Sequence, residues 1–311
     1  MYGSRVTALT DKGNVYNVGE GLSYQDDDVV KKPTKFLENV KELIDDGNTW
    51  IDNNNDLYIA GIDAINGGIL DEPKKLGGGN IVNSTSYTMG VVAVDKDGNL
   101  YSYGMEEYSG FEEQYEELTK IDGIKDLIKV TSKISNRWFL ALTKDGTVYT
   151  KGFDEDFEKV MDNCKDIVGE YIITNDDVVY RVGSGTEVTE IGKSVQISDY
   201  NDPRHAEFIS DGKIVPILWD GEKSTQESVD TYYKQYPTGM KHVFYSYVES
   251  DLKNSDKKIL KLVYENNAGE VVLYRVYDCY NYEGKTEITS SKVSRSIGDI
   301  AKIMDFIKYE K

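Results

Sequence analysis

Three stretches of the chain interleave aromatic rings with carboxylates: EGLSYQDDD at 20–28, MEEYSGFEEQYEE at 105–117 and FDEDFE at 153–158. Two further stretches, SKISNRW at 132–138 and DYNDPRH at 199–205, add polar groups and rings. Such residues suit recognition. Rings supply apolar anchors, and carboxylates supply a charged surround that selects a basic surface. The residues singled out are Tyr24, Tyr108, Phe111, Tyr115, Phe153, Phe157 and Tyr200. A sugar would suit the same groups, because hydroxyls donate to carboxylates and sugar C–H faces stack on rings. Two carboxylates across a cleft would also hydrolyse a glycoside. Among 55 acidic residues no pair stands out. Packing between neighbouring sheets is open to every one of these rings, so the cluster carries the expectation and no single ring does.

Other chemistries find little support. A nucleophilic triad needs a placed histidine, and only His205 and His242 exist, with no G-x-S-x-G elbow. His205 reads as a loop residue and His242 as part of a strand. Two histidines and two cysteines, Cys164 and Cys279, in unrelated positions do not make a zinc site or a disulfide scaffold. The two cysteines read as inert, part-buried thiols. GGGN at 77–80 opens no helix that could hold a phosphate. DKDGN at 95–99 starts like a calcium loop but lacks the glutamate at the twelfth position, so it reads as a turn, with calcium a minor option. No cofactor is expected.

The elements that must position the rings are repeats. ALTDKGNVYNVG at 8–19, AVDKDGNLYSYG at 93–104 and ALTKDGTVYTKG at 141–152 each spell a strand, a glycine turn and a second strand. The spacing Y-x-x-G recurs at Tyr16/Gly19, Tyr58/Gly61, Tyr101/Gly104, Tyr149/Gly152 and Tyr180/Gly183, with weaker copies at 209–218 and 266–276. A short strand precedes all but the first: 40–44, 79–83, 124–130, 164–168, 193–197 and 240–244, with a last one at 297–303 that no hairpin follows. Seven hairpins thus alternate with seven lead-in strands. The pattern predicts an all-β chain, a single domain over 1–311 and a seven-bladed β-propeller, its ring closed by pairing the C-terminal strand with the N-terminal hairpin. Within a blade the strands are named A to D, lead-in first. The B–C turns then share one end of the sheets, and the C–D and A–B loops that hold the candidate rings share the other.

The run IKVTSKISNRWFLALTKDGTVYTKG at 128–152 resembles the repeat of the regulator of chromosome condensation family. That repeat has an apolar strand ending in Leu-Thr, an acidic-Gly turn and V-Y-x-W-G. The resemblance covers the hairpins of about 5–185 and fades over 186–311. The Trp position holds Val18, Ala60, Tyr103, Lys151 and Val182, and of the Gly-rich tail only YSG at 108–110 is similar. It implies a divergent, bacterial-type propeller, and a structural position for Tyr108. Nucleotide exchange, chromatin binding and light sensing do not carry over, because the Trp clusters and basic tail are missing. Bacterial members of the resembled family include a secreted inhibitor that caps an enzyme with such a face.

Composition narrows the partners. With 36 basic and 55 acidic residues the formal net charge is −19, which repels nucleic acid and suits a partner that is basic at the contact. No run approaches the ~20 apolar residues of a spanning helix. MYGSRVTALT lacks a leader, so the expected compartment is cytoplasmic by default, or extracellular for a trimmed mature chain. The expectation is a non-enzymatic binding module that docks a protein partner through its acidic, aromatic face. The alternatives are a carbohydrate-binding or glycoside-hydrolysing propeller and a structural component of a larger assembly.

Overall fold

The repeat turns are built on one anchor residue each. Thr10, Asp52, Asp95, Thr143, Thr174 and Asn266 each accept, through a side-chain oxygen, the backbone N–H four residues on, at 2.8–3.1 Å. Such short polar side chains reproduce a backbone turn locally. Three residues after the anchor the chain turns left-handed, at Gly13, Asn55, Gly98, Gly146, Asp177 and Gly269. Glycine is therefore not obligatory there, since Asn and Asp tolerate this region.

A computed structural model of the chain describes residues 6–19, 30–44, 49–61, 65, 70, 72–87, 90–104, 114–132, 138–152, 156–183, 185–193, 196–198, 205–210, 213–218, 237–251, 254–277, 288–294, 299, 302–303 and 306. These form seven antiparallel sheets, five of four strands and two of three. The first holds β1 (Val6–Leu9), β2 (Val15–Gly19) and β3 (Val30–Leu37). The second holds β4 (Val40–Ile44), β5 (Thr49–Asp52), β6 (Leu57–Ile59) and β7 (Lys74–Gly77). The third holds β8 (Ile81–Tyr87), β9 (Gly90–Asp95), β10 (Leu100–Gly104) and β11 (Tyr115–Ile121). The fourth holds β12 (Leu127–Ser132), β13 (Phe139–Thr143), β14 (Val148–Lys151) and β15 (Glu158–Met161). The fifth holds β16 (Cys164–Val168), β17 (Tyr171–Thr174), β18 (Val178–Val182) and β19 (Val188–Lys193). The sixth holds β20 (Gln196–Ser198), β21 (His205–Ser210) and β22 (Lys213–Leu218). The last holds β23 (Met240–Asp251), β24 (Asn254–Asn266), β25 (Val271–Val276) and β26 (Ile288–Val293). Strand order follows chain order in every sheet, the meander of a β-propeller.

Period-two alternation gives each sheet a forward and a backward apolar face. Val92, Val94 and Leu100 of the third sheet pack forward on Phe139 and Ala141 of the fourth. Leu140, Leu142 and Val148 of the fourth pack forward on Ile172 and Val182 of the fifth. Each such fully buried aliphatic side chain is worth roughly 1.5–3 kcal/mol. Hydrogen bonds cross the same seams. Val40, Ile81, Leu127 and Cys164, the first residues of four inner strands, donate their N–H to the carbonyls of Gly13, Asn55, Gly98 and Gly146 in the preceding turns, at 2.9–3.1 Å. Inner strands are also joined to each other, because Thr85 Oγ1 accepts from Ser132 N–H at 3.1 Å and Thr131 Oγ1 from Gly169 N–H at 2.8 Å.

The expected closing strand is not observed. The described residues of that stretch, Asp299, Lys302, Ile303 and Phe306, are helical, and no ladder joins the first and last sheets among the described residues. Isoleucines at 297, 300, 303 and 307 recur every three or four residues, a helical period rather than a strand period. Ile303 and Phe306 lie on Val263, Val271 and Leu273. By repeat register those three occupy the forward face of the last sheet, the face that elsewhere meets the next sheet. The Arg275 guanidinium sits 4.8 Å from the Phe306 ring and 5.7 Å from the Tyr277 ring, holding the helical segment there. His205 also departs from expectation: it opens β21, paired with Leu218, rather than lying in a loop.

Candidate functional site

The six connections between third and fourth strands, 20–29, 60–73, 105–114, 152–157, 183–187 and 277–287, contain eighteen carboxylates and one lysine. Their net charge of −17 compares with −19 for the whole chain. The strands carrying them run antiparallel, so these connections leave the sheets at the end opposite the anchored turns.

Of the seven candidate rings, Tyr115 and Phe157 lie among the described residues. Tyr115 opens β11 opposite Gly104. Both rings are half-buried against the cluster of Val92, Leu100, Leu127 and Phe139. Phe157 meets Phe139 edge-on, with centroids 6.3 Å apart, and the Lys151 ammonium lies 6.0 Å from its centroid. These two rings therefore fill the seam between the third and fourth sheets, the packing role open to each of them. Tyr24, Tyr108, Phe111, Phe153 and Tyr200 lie outside the described residues, as does Cys279.

The other end of the sheets holds a polar group that the sequence did not point to. In β4, β8, β12, β16 and β23 the register slips after the first residue, the mark of a β-bulge. The bulge leaves Lys41, Val82, Ile128, Lys165 and Lys241 without a ladder partner, and it brings Glu42, Asn83, Lys129 and Asp166 to the same level on successive inner strands. Lys129 Nζ reaches Asp166 Oδ1 at 2.7 Å, and Asn83 Oδ1 accepts from Val130 N–H at 2.7 Å. Burial pushes the Glu42 carboxyl above its ordinary range, against the opposing pull of the Lys41 and Lys129 charges. The available signal was the third position of each lead-in strand, which is polar in all four repeats.

The DKDGN turn is fully engaged in structure. Asp95 accepts from the backbone N–H groups of Asp97 and Asn99, the side-chain amides of Asn80 and Asn99, and the Tyr101 hydroxyl. Burial pushes its carboxyl up, but these donors outweigh it and hold the group below its ordinary range. Asp95 thus acts as a turn anchor. Cys164 is buried, its thiol pushed up to about 11 by burial and by the charge of Asp162, so it is protonated and inert near neutrality.

No protein-family model matches the chain, and no curated protein matches it in sequence. Solved structures do. Prp20p from Saccharomyces cerevisiae is similar at a TM-score of 0.54 and 15% identity, over 70% of this chain and 70% of that one. Yeast RCC1 (Prp20) bound to Kap60 is similar at 0.49 and 16%, over 97% and 81%. Human WBSCR16 is similar at 0.44 and 12%, over 88% and 73%. At 15% identity the likeness to Prp20p is one of fold alone, the β-propeller.

Proposed function

We infer that the protein is a non-enzymatic scaffold, a single ring of seven blades, whose acidic strand connections dock a protein that is basic where it touches. The observation that carries this reading is the concentration of charge: six connections contain almost the whole excess of carboxylates. A field gathered at one end of a rigid stack steers and orients a cationic partner far better than the same charge spread evenly. The structure of yeast Prp20p is described together with its binding to Gsp1p and histones, which shows that this fold can serve protein binding.

Affinity capture tests it. The immobilised protein is exposed to lysate and secreted material of its source organism, beside one variant with Asp26, Asp27, Asp28, Glu106 and Glu107 changed to their amides and another with Tyr24, Tyr108, Phe111 and Phe153 changed to Ala. The expected partner is retained by the wild type, lost by both folded variants, and released as salt rises from about 0.05 to 0.5 M, where charge is screened within ~4 Å. A partner retained equally by all three proteins, or at high salt, would sink the reading.

A further inference from the structure

Six Asp–Gly pairs occur in the sequence, and three of them, Asp97–Gly98, Asp122–Gly123 and Asp145–Gly146, lie among the described residues. Such a pair carries its own chemistry. The glycine amide nitrogen can close on the aspartate carboxyl, and the missing Cβ leaves the approach unhindered. Whether it closes depends on how free the amide is to move.

Two of the pairs are locked. Gly98 N–H donates to the Asp95 carbonyl at 3.0 Å, and the Gly98 carbonyl accepts from Leu127 N–H at 3.0 Å. Gly146 N–H donates to the Thr143 carbonyl at 3.0 Å, and the Gly146 carbonyl accepts from Cys164 N–H at 2.9 Å. The carboxylate of Asp145 is held as well, by Thr143 Oγ1 at 2.5 Å and Thr147 N–H at 3.2 Å. A Cβ on Gly98 would stand 2.8 Å from Asp126 Cα, and one on Gly146 would stand 2.8 Å from the Cys164 carbonyl oxygen. Turn and seam together therefore resist rotation of these two amides. The third pair differs. Asp122 and Gly123 lie in the link between β11 and β12, and both are exposed. Among the described residues Gly123 N–H has no acceptor and the Asp122 carboxylate has no donor. A Cβ on Gly123 would meet the Phe157 ring in ordinary contact, at 3.7 and 3.9 Å.

We propose that Asp122–Gly123 is a site of spontaneous covalent modification, isoaspartate formation, from which the fold protects the other two pairs. The Gly123 nitrogen loses its proton and bonds to Cγ of the protonated Asp122 carboxyl. The bond from Cγ to the hydroxyl oxygen breaks, water leaves, and a succinimide ring remains. Water then adds at one ring carbonyl. Opening at the main-chain carbonyl leaves the chain running through Cβ and Cγ, one methylene longer, with a free α-carboxylate. Net charge is unchanged, so the modification is independent of the acidic connections and their role. The product is the substrate chemistry of an enzyme that methylates isoaspartyl α-carboxylates.

The test is ageing of the full chain for several weeks at physiological temperature. Peptide mapping with electron-transfer fragmentation, and labelling by an isoaspartyl methyltransferase, then read each position. Isoaspartate at Asp122 is expected to exceed that at Asp97 and at Asp145 by about tenfold or more, because the locked pairs react only from locally opened states. In chain unfolded in urea the three positions should converge. Equal accumulation at all three in the folded protein overturns the proposal. So does an Asp122 that stays intact in the folded protein while reacting in the unfolded chain. The same excess at Asp122 with and without urea would assign the reactivity to neighbours in sequence and also overturn it.

Discussion

At the scale of single residues, the turns show how closely the backbone is constrained. Gly146 has a φ of +85°, and a Cβ there would stand 2.8 Å from the Cys164 carbonyl oxygen in the next sheet. Gly185 also has a positive φ, +68°, but a Cβ there meets nothing within 4 Å. Gly146→Ala is therefore expected to cost about 2–4 kcal/mol and Gly185→Ala about 1 kcal/mol, read from urea denaturation midpoints. Glu42 gives a prediction with a sign. Its carboxyl is raised in the folded state, first by burial, so the folded protein holds that proton more readily than the unfolded chain. The resulting stabilisation is present at acid pH and lost as pH rises through the raised value. Glu42→Gln should accordingly raise the melting temperature at pH 7 by about 1–2 °C, with a gain that fades toward pH 4. A gain independent of pH would show that burial of the charge is not its cause. The glycines were legible in the sequence. The anchors were not, because Thr, Asp and Asn share the position and only the geometry shows them doing one job. Asn55 and Asp177 take the glycine's place in two of the turns, whose hairpins were legible from the Y-x-x-G spacing instead.

At the scale of elements, strands that alternate in period two and end at a polar turn were read with nearly correct bounds, as with VKELI at 40–44 and CKDIV at 164–168. Two features escaped. A bulge adds one residue without disturbing the alternation around it, so five inner strands concealed the slip that groups Glu42 with Lys129 and Asp166. The C-terminal stretch was read as a strand because the repeat demanded one, although its isoleucines carried the helical period. Its tertiary role is to cover Val263, Val271 and Leu273. Phe306→Ala is expected to lower stability by about 1–3 kcal/mol, and to do so locally: limited proteolysis should cut near 288–306 before any site in the third to fifth sheets. Simultaneous cleavage throughout would show that the segment supports the whole stack instead.

At the scale of the whole molecule, sheet order was legible because a repeat states its own neighbours, while the structure supplies the seam packing, residues facing forward in one sheet meeting those facing backward in the next. The proposed recognition surface was legible only as charge. Aromatic spacing could not separate anchors from packing, since a half-buried ring between sheets and an exposed ring on a loop have the same local sequence. Tyr115 and Phe157 proved to be of the first kind. Charge behaves differently. It sums over connections whatever their conformation, so the −17 of six connections is a property of the strand order.

The hydrogen bonds from Val40, Ile81, Leu127 and Cys164 to the turns before them have a further consequence. Each of these four amides is shielded only while two different sheets stay in contact. Its deuterium uptake therefore clocks the parting of one seam, whereas amides inside a ladder report the fraying of a single sheet. The molecule thus carries four internal reporters, one per junction among its first five sheets. Their relative rates would show where the stack first comes apart, and whether a bound partner tightens one junction or all of them.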